Sequence, residues 1–162
     1  MIWSQNARVI PLTVTGQTFA TNSDTRLTID RFDSGEMADY ATIVVQGGSS
    51  SSSKLTTLQI QHSDTTDATN FATISGFSGT TNSTASTSEF VIPAGATATD
   101  DIGAAHVFNV DCKNLKRYLG VLVRTPNTTG TGEMVNAFGV LHRLDSKGAG
   151  TGGDVAGVTK NG

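Results

Sequence analysis

Between Lys54 and Gly76 the chain reads KLTTLQIQHSDTTDATNFATISG. Its first part alternates with a period of two, Leu58, Ile60 and His62 on one face and Thr57, Gln59 and Gln61 on the other. That period places one face on a core and the other in water, as in a half-buried strand. A polar loop from Ser63 to Asn70 follows, with no apolar residue larger than alanine. A short apolar return, Phe71 to Ile74, then closes at Ser75-Gly76. A strand pair of this kind must lay its apolar face on a second layer, so the stretch commits the chain to a β architecture.

The same spacing recurs on both sides. Arg8 to Thr15 alternates moderately, and Pro11, lacking an N–H to give a ladder, assigns it to a sheet edge. Arg26 to Phe32 carries Leu27 and Ile29 against Thr28 and Asp30, and Asp33-Ser34-Gly35 turns the chain. Tyr40 to Gln46 is apolar on both faces and reads as a central strand buried on two sides. Glu89 to Pro93, His106 to Asp111, Arg117 to Thr125 and Glu133 to Leu144 complete the series. In the last, Val135, Ala137 and Leu141 lie opposite Met134, Phe138 and Val140. The spacers GGSSSSS and Phe77 to Ser88 are exposed loops, Ala94 to Ala105 is weakly patterned with room for a single helical turn, and Pro126 to Gly132 is a loop. About eight or nine short strands and no long helix predict an all-β fold. Its expected form is an antiparallel β-sandwich, jelly-roll-like, with an extended N-terminal arm and a flexible Gly-rich C-terminal tail. The expected organisation is an arm and first strand over 1–20, the sandwich over 21–145 and the tail over 146–162.

Charge and motifs remove several classes of function. A net charge of −3 with no basic face argues against nucleic acid. No run of 18 apolar residues marks a membrane span, and MIWSQNARVIPLTV lacks the pattern of a secretory leader. Asn82-Ser83-Thr84 and Asn127-Thr128-Thr129 are therefore read as loop composition. There is no Gly-x-Ser-x-Gly elbow, Walker loop, HExxH or dinucleotide fingerprint. The three glutamates, Glu36, Glu89 and Glu133, single out no carboxylate pair for glycoside hydrolysis. The expectation is a protein that is not an enzyme and takes no cofactor.

A few clusters still invite a chemical reading. Asp64, Asp67 and Asn70 have oxygens that can gather around calcium, but without the spacing and glycine of an EF-hand loop; a structural turn is the expectation. Asp100-Asp101 reads as a capping pair. His62, His106 and His142 would make a zinc site only if their strands adjoined, the basis of a cupin-like enzyme reading; the expected metal content is none. Cys112 is the single cysteine and reads as a small buried or half-buried thiol. Ile2 and Trp3, with Arg8, are the candidate residues for docking on a neighbouring subunit. Aromatic residues make up only 6%, leaving Tyr40 and Tyr118 as candidate sugar platforms.

LQIQHSDTTDATNFATISG together with the later FNVDCKNLKRYLGVLVRT resembles a type of small structural protein of tailed bacteriophages, the capsid decoration or cement proteins. The residues that carry the resemblance are Gln61, Ser63, Asp64, Phe71, Ile74, Arg117, Tyr118, Leu119, Val121 and Val123. It spans about Ala41 to Thr125 and departs from the usual pattern at Gly120, where a larger or charged residue is common. The resemblance implies a jelly-roll-like subunit, often trimeric, on the outside of a capsid where major capsid protein subunits meet. It would be assembled in the host cytoplasm. A carbohydrate-binding sandwich from a phage tail or fibre is the alternative.

Overall fold

The structure is a computed structural model that describes residues 7–13, 18–20, 23–33, 36–47, 55–80, 89–92, 105–124 and 133–144. The β-branched, alternating segments form β1 (Ala7–Pro11), β2 (Thr18–Phe19), β3 (Asp24–Asp30), β4 (Phe32–Asp33), β5 (Glu36–Gly47) and β6 (Thr57–Ser63). They continue as β7 (Ala72–Thr80), β8 (Glu89–Val91), β9 (Ala105–Asp111), β10 (Tyr118–Arg124) and β11 (Glu133–Leu144). No α-helix occurs among the described residues; the one helical feature there is a 3-10 turn at Ala68–Asn70. The predicted all-β sandwich is what forms.

A six-stranded sheet has the order β1-β11-β5, with β4 and β9 on the far side of β5 and β2 continuing beside β11. The second, five-stranded sheet runs β3-β10-β6-β7-β8. Strands joined by the ladder are distant in sequence: β1 meets β11 with Arg8 opposite Leu141, and β3 meets β10 with Ile29 opposite Leu119. The pairings are antiparallel except β7 with β8, which is parallel.

The inner faces supply the core. Leu27, Ile29, Leu58, Ile60, Leu119, Val121 and Val123 from the smaller sheet meet Ala41, Ile43, Val45, Val110, Val135 and Leu141 from the larger. At one end Phe108 of β9 packs against Phe77 and Phe90 of the other sheet, with ring centroids 6.1 and 5.5 Å apart and the rings tilted. Tilted aromatic pairs at such spacing are favourable beyond the area they bury. The rings close the sandwich there.

Three details differ from expectation. Tyr40 to Gln46 is central in its sheet, but only Ala41, Ile43 and Val45 are fully buried; Tyr40, Thr42 and Val44 are half-buried because no third layer among the described residues covers them. The return strand does not stop at Gly76. Gly76 takes a φ of +83°, a conformation glycine adopts without penalty, and the chain bulges and rejoins β6 with Ser78 opposite Gln59. Finally, Gln61 is buried although its parity points away from the core. Its amide is covered on the outside of the sheet, where it accepts from Arg26 Nε at 2.9 Å and donates to Gln59 Oε1 at 3.2 Å.

One buried charge fixes a corner. Arg31, between β3 and β4, donates from Nη2 to Ala38 O at 2.9 Å and from Nη1 to Leu115 O and Lys116 O at 2.7 and 2.8 Å. Burial draws its pKa below the ordinary arginine value. A guanidinium out of water needs this fork of carbonyls, which a single-point cation cannot match.

Candidate interaction surface

The two outer faces of the sandwich are chemically unlike. On the smaller sheet, Asp24 receives Arg124 through Nε and Nη2 at 2.6 and 2.9 Å, and Asp30 receives Arg117 likewise at 2.9 and 2.7 Å. Arg26 lies over the Phe71 ring at 4.9 Å while its Nε donates to Gln61. Gln59 accepts from Thr73 Oγ1 at 3.1 Å and donates to Ser78 Oγ at 3.3 Å. This is a hydrogen-bonded, charge-balanced face suited to water. Its arginines have carboxylate or amide partners, so it is not a basic patch of the sort that holds phosphate backbones.

The outer face of the larger sheet carries an apolar patch at its middle, flanked by Asn136 and Gln46 on one side and by His142, Tyr40 and Asp111 on the other. The ladder aligns Pro11, Phe138, Val44 and Val107 in one row across four strands, and Val9, Val140, Thr42 and Asn109 in the next. Neither row contains a formal charge. In the first row Val107 is 56% and Phe138 42% exposed; in the second Val9 is 64% exposed but Val140 is buried, so the patch is open in part among the described residues. Its polar members are already engaged: Thr42 Oγ1 donates to Asn109 Oδ1 at 3.0 Å and lies 3.0 Å from His142 Nε2. Burial also draws His142 below the usual imidazole pKa, which favours its neutral form. Exposed apolar area is a feature that interaction surfaces share.

The sequence-nominated residues are dispersed. Ile2 and Trp3 lie outside the described residues, as does the Asp100-Asp101 pair. Arg8 is a half-buried member of β1, opposite Leu141, and its charge helps to lower the Asp30 pKa. Asp67 caps the 3-10 turn, accepting from Thr69 N and Oγ1 at 2.9 Å each, which holds its carboxyl below the usual range. Asp64 pairs with Lys116 Nζ at 3.1 Å, and Asn70 donates to Thr65 Oγ1 at 3.0 Å. The calcium candidates thus act as turn-forming groups. His62 belongs to the smaller sheet, where its Nδ1 accepts from Lys116 N at 3.3 Å. His106 and His142 belong to the larger sheet but face Val45 and Tyr40, five positions apart along β5. The fold does not bring the three histidines together.

Cys112 is fully buried and free, and burial pushes its thiol up to about 11. Tyr40 has Lys113 Nζ 4.9 Å from its ring centre, and Tyr118 has the Arg117 guanidinium at 5.0 Å. A cation already lies over each candidate sugar platform. Arg117 also lies 5.0 Å from the exposed ring of Phe32. Sequence reading marked Phe138 and Val140 on a second apolar face of their strand but not the row they join, since its members come from four distant segments.

No family model matches the chain, and no curated protein or solved structure is significantly similar to it.

Proposed function

We propose that this chain is a structural protein of a phage particle that binds the outside of the capsid and stabilises the shell by bridging major capsid protein subunits, as a homo-oligomer and most simply a trimer. The observation that carries the reading is the uncharged apolar patch, two ladder rows deep, on the outer face of the larger sheet, set opposite a face built for water. A protein whose task is adhesion needs one face covered by protein and another compatible with solvent. Strand order supports it: β1-β11-β5-β9 over β3-β10-β6-β7 is the order we read as a jelly roll, an architecture used by viral capsid and lectin domains. Fold alone does not assign a function, so the face carries the weight.

The role is non-catalytic in this reading. The groups that sequence nominates for chemistry have structural duties: Cys112 as a buried protonated thiol, His62 as an acceptor in a turn, Asp67 as a cap. The carbohydrate-binding alternative has less support, because both tyrosines carry a cation over the ring.

Heads purified without the protein, mixed with the isolated chain and sedimented, test the proposal. Binding that saturates at a fixed ratio and raises the temperature of head disruption is the expected result. A chain that stays in the supernatant at saturating concentration overturns it, and a specific hit on a glycan array would favour the alternative. Deleting residues 1–6 tests Ile2 and Trp3 without removing β1, whose ladder to β11 begins at Ala7.

A further inference from the structure

We infer that His62 is a proton-operated latch on the corner where the chain passes from one sheet to the other: the neutral ring holds the turn closed and the charged ring releases it. β9 belongs to the larger sheet and β10 to the smaller, so the turn from Cys112 to Lys116 carries the crossing. Cys112 N ties its start to Asp39 O at 2.8 Å, and Leu115 N donates back to Cys112 O at 3.0 Å. Leu115 itself packs against the core. Lys116 ends the turn and is held at three points. Its carbonyl accepts from Arg31 Nη1 at 2.8 Å, its Nζ meets Asp64 Oδ2 at 3.1 Å, and its peptide N–H donates to His62 Nδ1 at 3.3 Å.

The last of these bonds fixes the state of the ring. A peptide N–H can only donate, so Nδ1 is bare and the neutral ring carries its proton on Nε2. An imidazolium has an N–H on both nitrogens and would set one of them against the Lys116 N–H. Its charge would also add to those of Lys116 and Arg31, with Asp64 the one carboxylate acting on it among the described residues. The strands on either side contribute no charge at that level: Leu119 of β10 and Ala72 of β7 lie opposite His62, and β7 has no titratable side chain. Burial first, then the Lys116 and Arg31 charges, hold the imidazole below its ordinary value of 6.5 against the opposing pull of Asp64. A group depressed in the closed state contributes stability above its unfolded pKa, and the contribution is lost as pH falls through the folded value. The latch therefore opens on the acid side of pH 6.5, before the Asp30 carboxyl is reached.

NMR of the full chain tests this. At pH 7.5 the nitrogen shifts of the His62 ring are expected to place its proton on Nε2. Between pH 7.5 and 5, amide exchange over 113–117, corrected for its intrinsic pH dependence, is expected to quicken several-fold, within the limit of about tenfold per pH unit that one proton allows. Its midpoint should equal that of the His62 ring titration, and exchange at Val121 to Val123 in the core should not follow. His62→Asn sets an acceptor oxygen where Nδ1 stands and cannot titrate, so its corner should stay closed throughout the range. Should that variant fail to fold, the two midpoints in the wild type decide. A proton on Nδ1 at pH 7.5, mismatched midpoints, an equal response at Val121 to Val123, or the same response in His62→Asn overturns the inference, as does corner exchange that pH leaves unchanged.

Discussion

The ring of Phe71 lies directly over Gly120: a Cβ placed on that glycine would come within 2.8 Å of two ring carbons and 3.2 Å of Arg26 Cδ. Gly120 sits mid-strand in β10, between Thr28 and Gln61, where a side chain would ordinarily stand. Its absence lets the aromatic ring cover the sheet, with the Arg26 guanidinium on the ring. Gly120→Val is therefore expected to destabilise the domain by about 1–3 kcal/mol through overpacking. Urea unfolding checks it. Combining it with Phe71→Ala should cost less than the sum of the two single changes, since the clash partner is gone.

That position also shows what the sequence conceals. Alternation made β3, β6 and β9 legible, because a period of two with one apolar face has few other solutions, while β10 and β11 were legible as apolar, β-branched runs. Gly120 departs from the resemblance pattern, yet its pairing with both neighbours is continuous. The reason lies in Phe71, forty-nine positions away, whose ring fills the vacancy. The aligned apolar row is hidden for a similar cause. Pro11, Val44, Val107 and Phe138 are each unremarkable locally, and only the register makes them neighbours. Arg31 was likewise invisible, since nothing local distinguishes a buried arginine from the exposed ones around it.

Arg31→Met should be among the most damaging single substitutions. It would leave the carbonyls of Ala38, Leu115 and Lys116 without the donors that now satisfy them in the interior. Each lost buried partner costs about 1–3 kcal/mol, so a loss of at least about 3 kcal/mol is expected from the three. Arg31→Lys should recover only part of this, because an ammonium group cannot address three carbonyls in a planar fork. Thermal and urea denaturation of both variants distinguish a specific fork from simple volume.

Acid should weaken the fold through Asp30. The hydrogen bond from Arg117 holds its carboxyl below the ordinary value of 3.8. A group whose folded pKa is depressed contributes stability above its unfolded pKa, and that contribution is lost as pH falls through the folded value. The loss therefore falls below about pH 4. Both partners are about 40% exposed, so solvent screening keeps the contribution under about 1 kcal/mol. Asp30→Asn should flatten this part of the stability profile between pH 5 and 2, with little effect at pH 7 beyond the lost pair. An unchanged acid slope in that variant would move the cause elsewhere.

Cys112 gives a probe of native packing. Its Sγ lies 3.5 Å from Val110 O in the fully buried layer beneath β9, and burial raises the thiol to about 11. At pH 8 the thiolate, which is the reactive form, is therefore scarce, and Cys112 has no exposed surface for a reagent to meet. Ellman's reagent is expected to leave the folded chain unmodified for hours and to react stoichiometrically once the chain is unfolded in guanidinium. Because the raised pKa and the burial share one origin, both should disappear together as denaturant rises, and the labelling midpoint should coincide with the loss of β-sheet circular dichroism. Rapid labelling under native conditions would mean that the turn from Cys112 to Lys116 opens independently, and that the Arg31 fork beside it does not hold the corner closed.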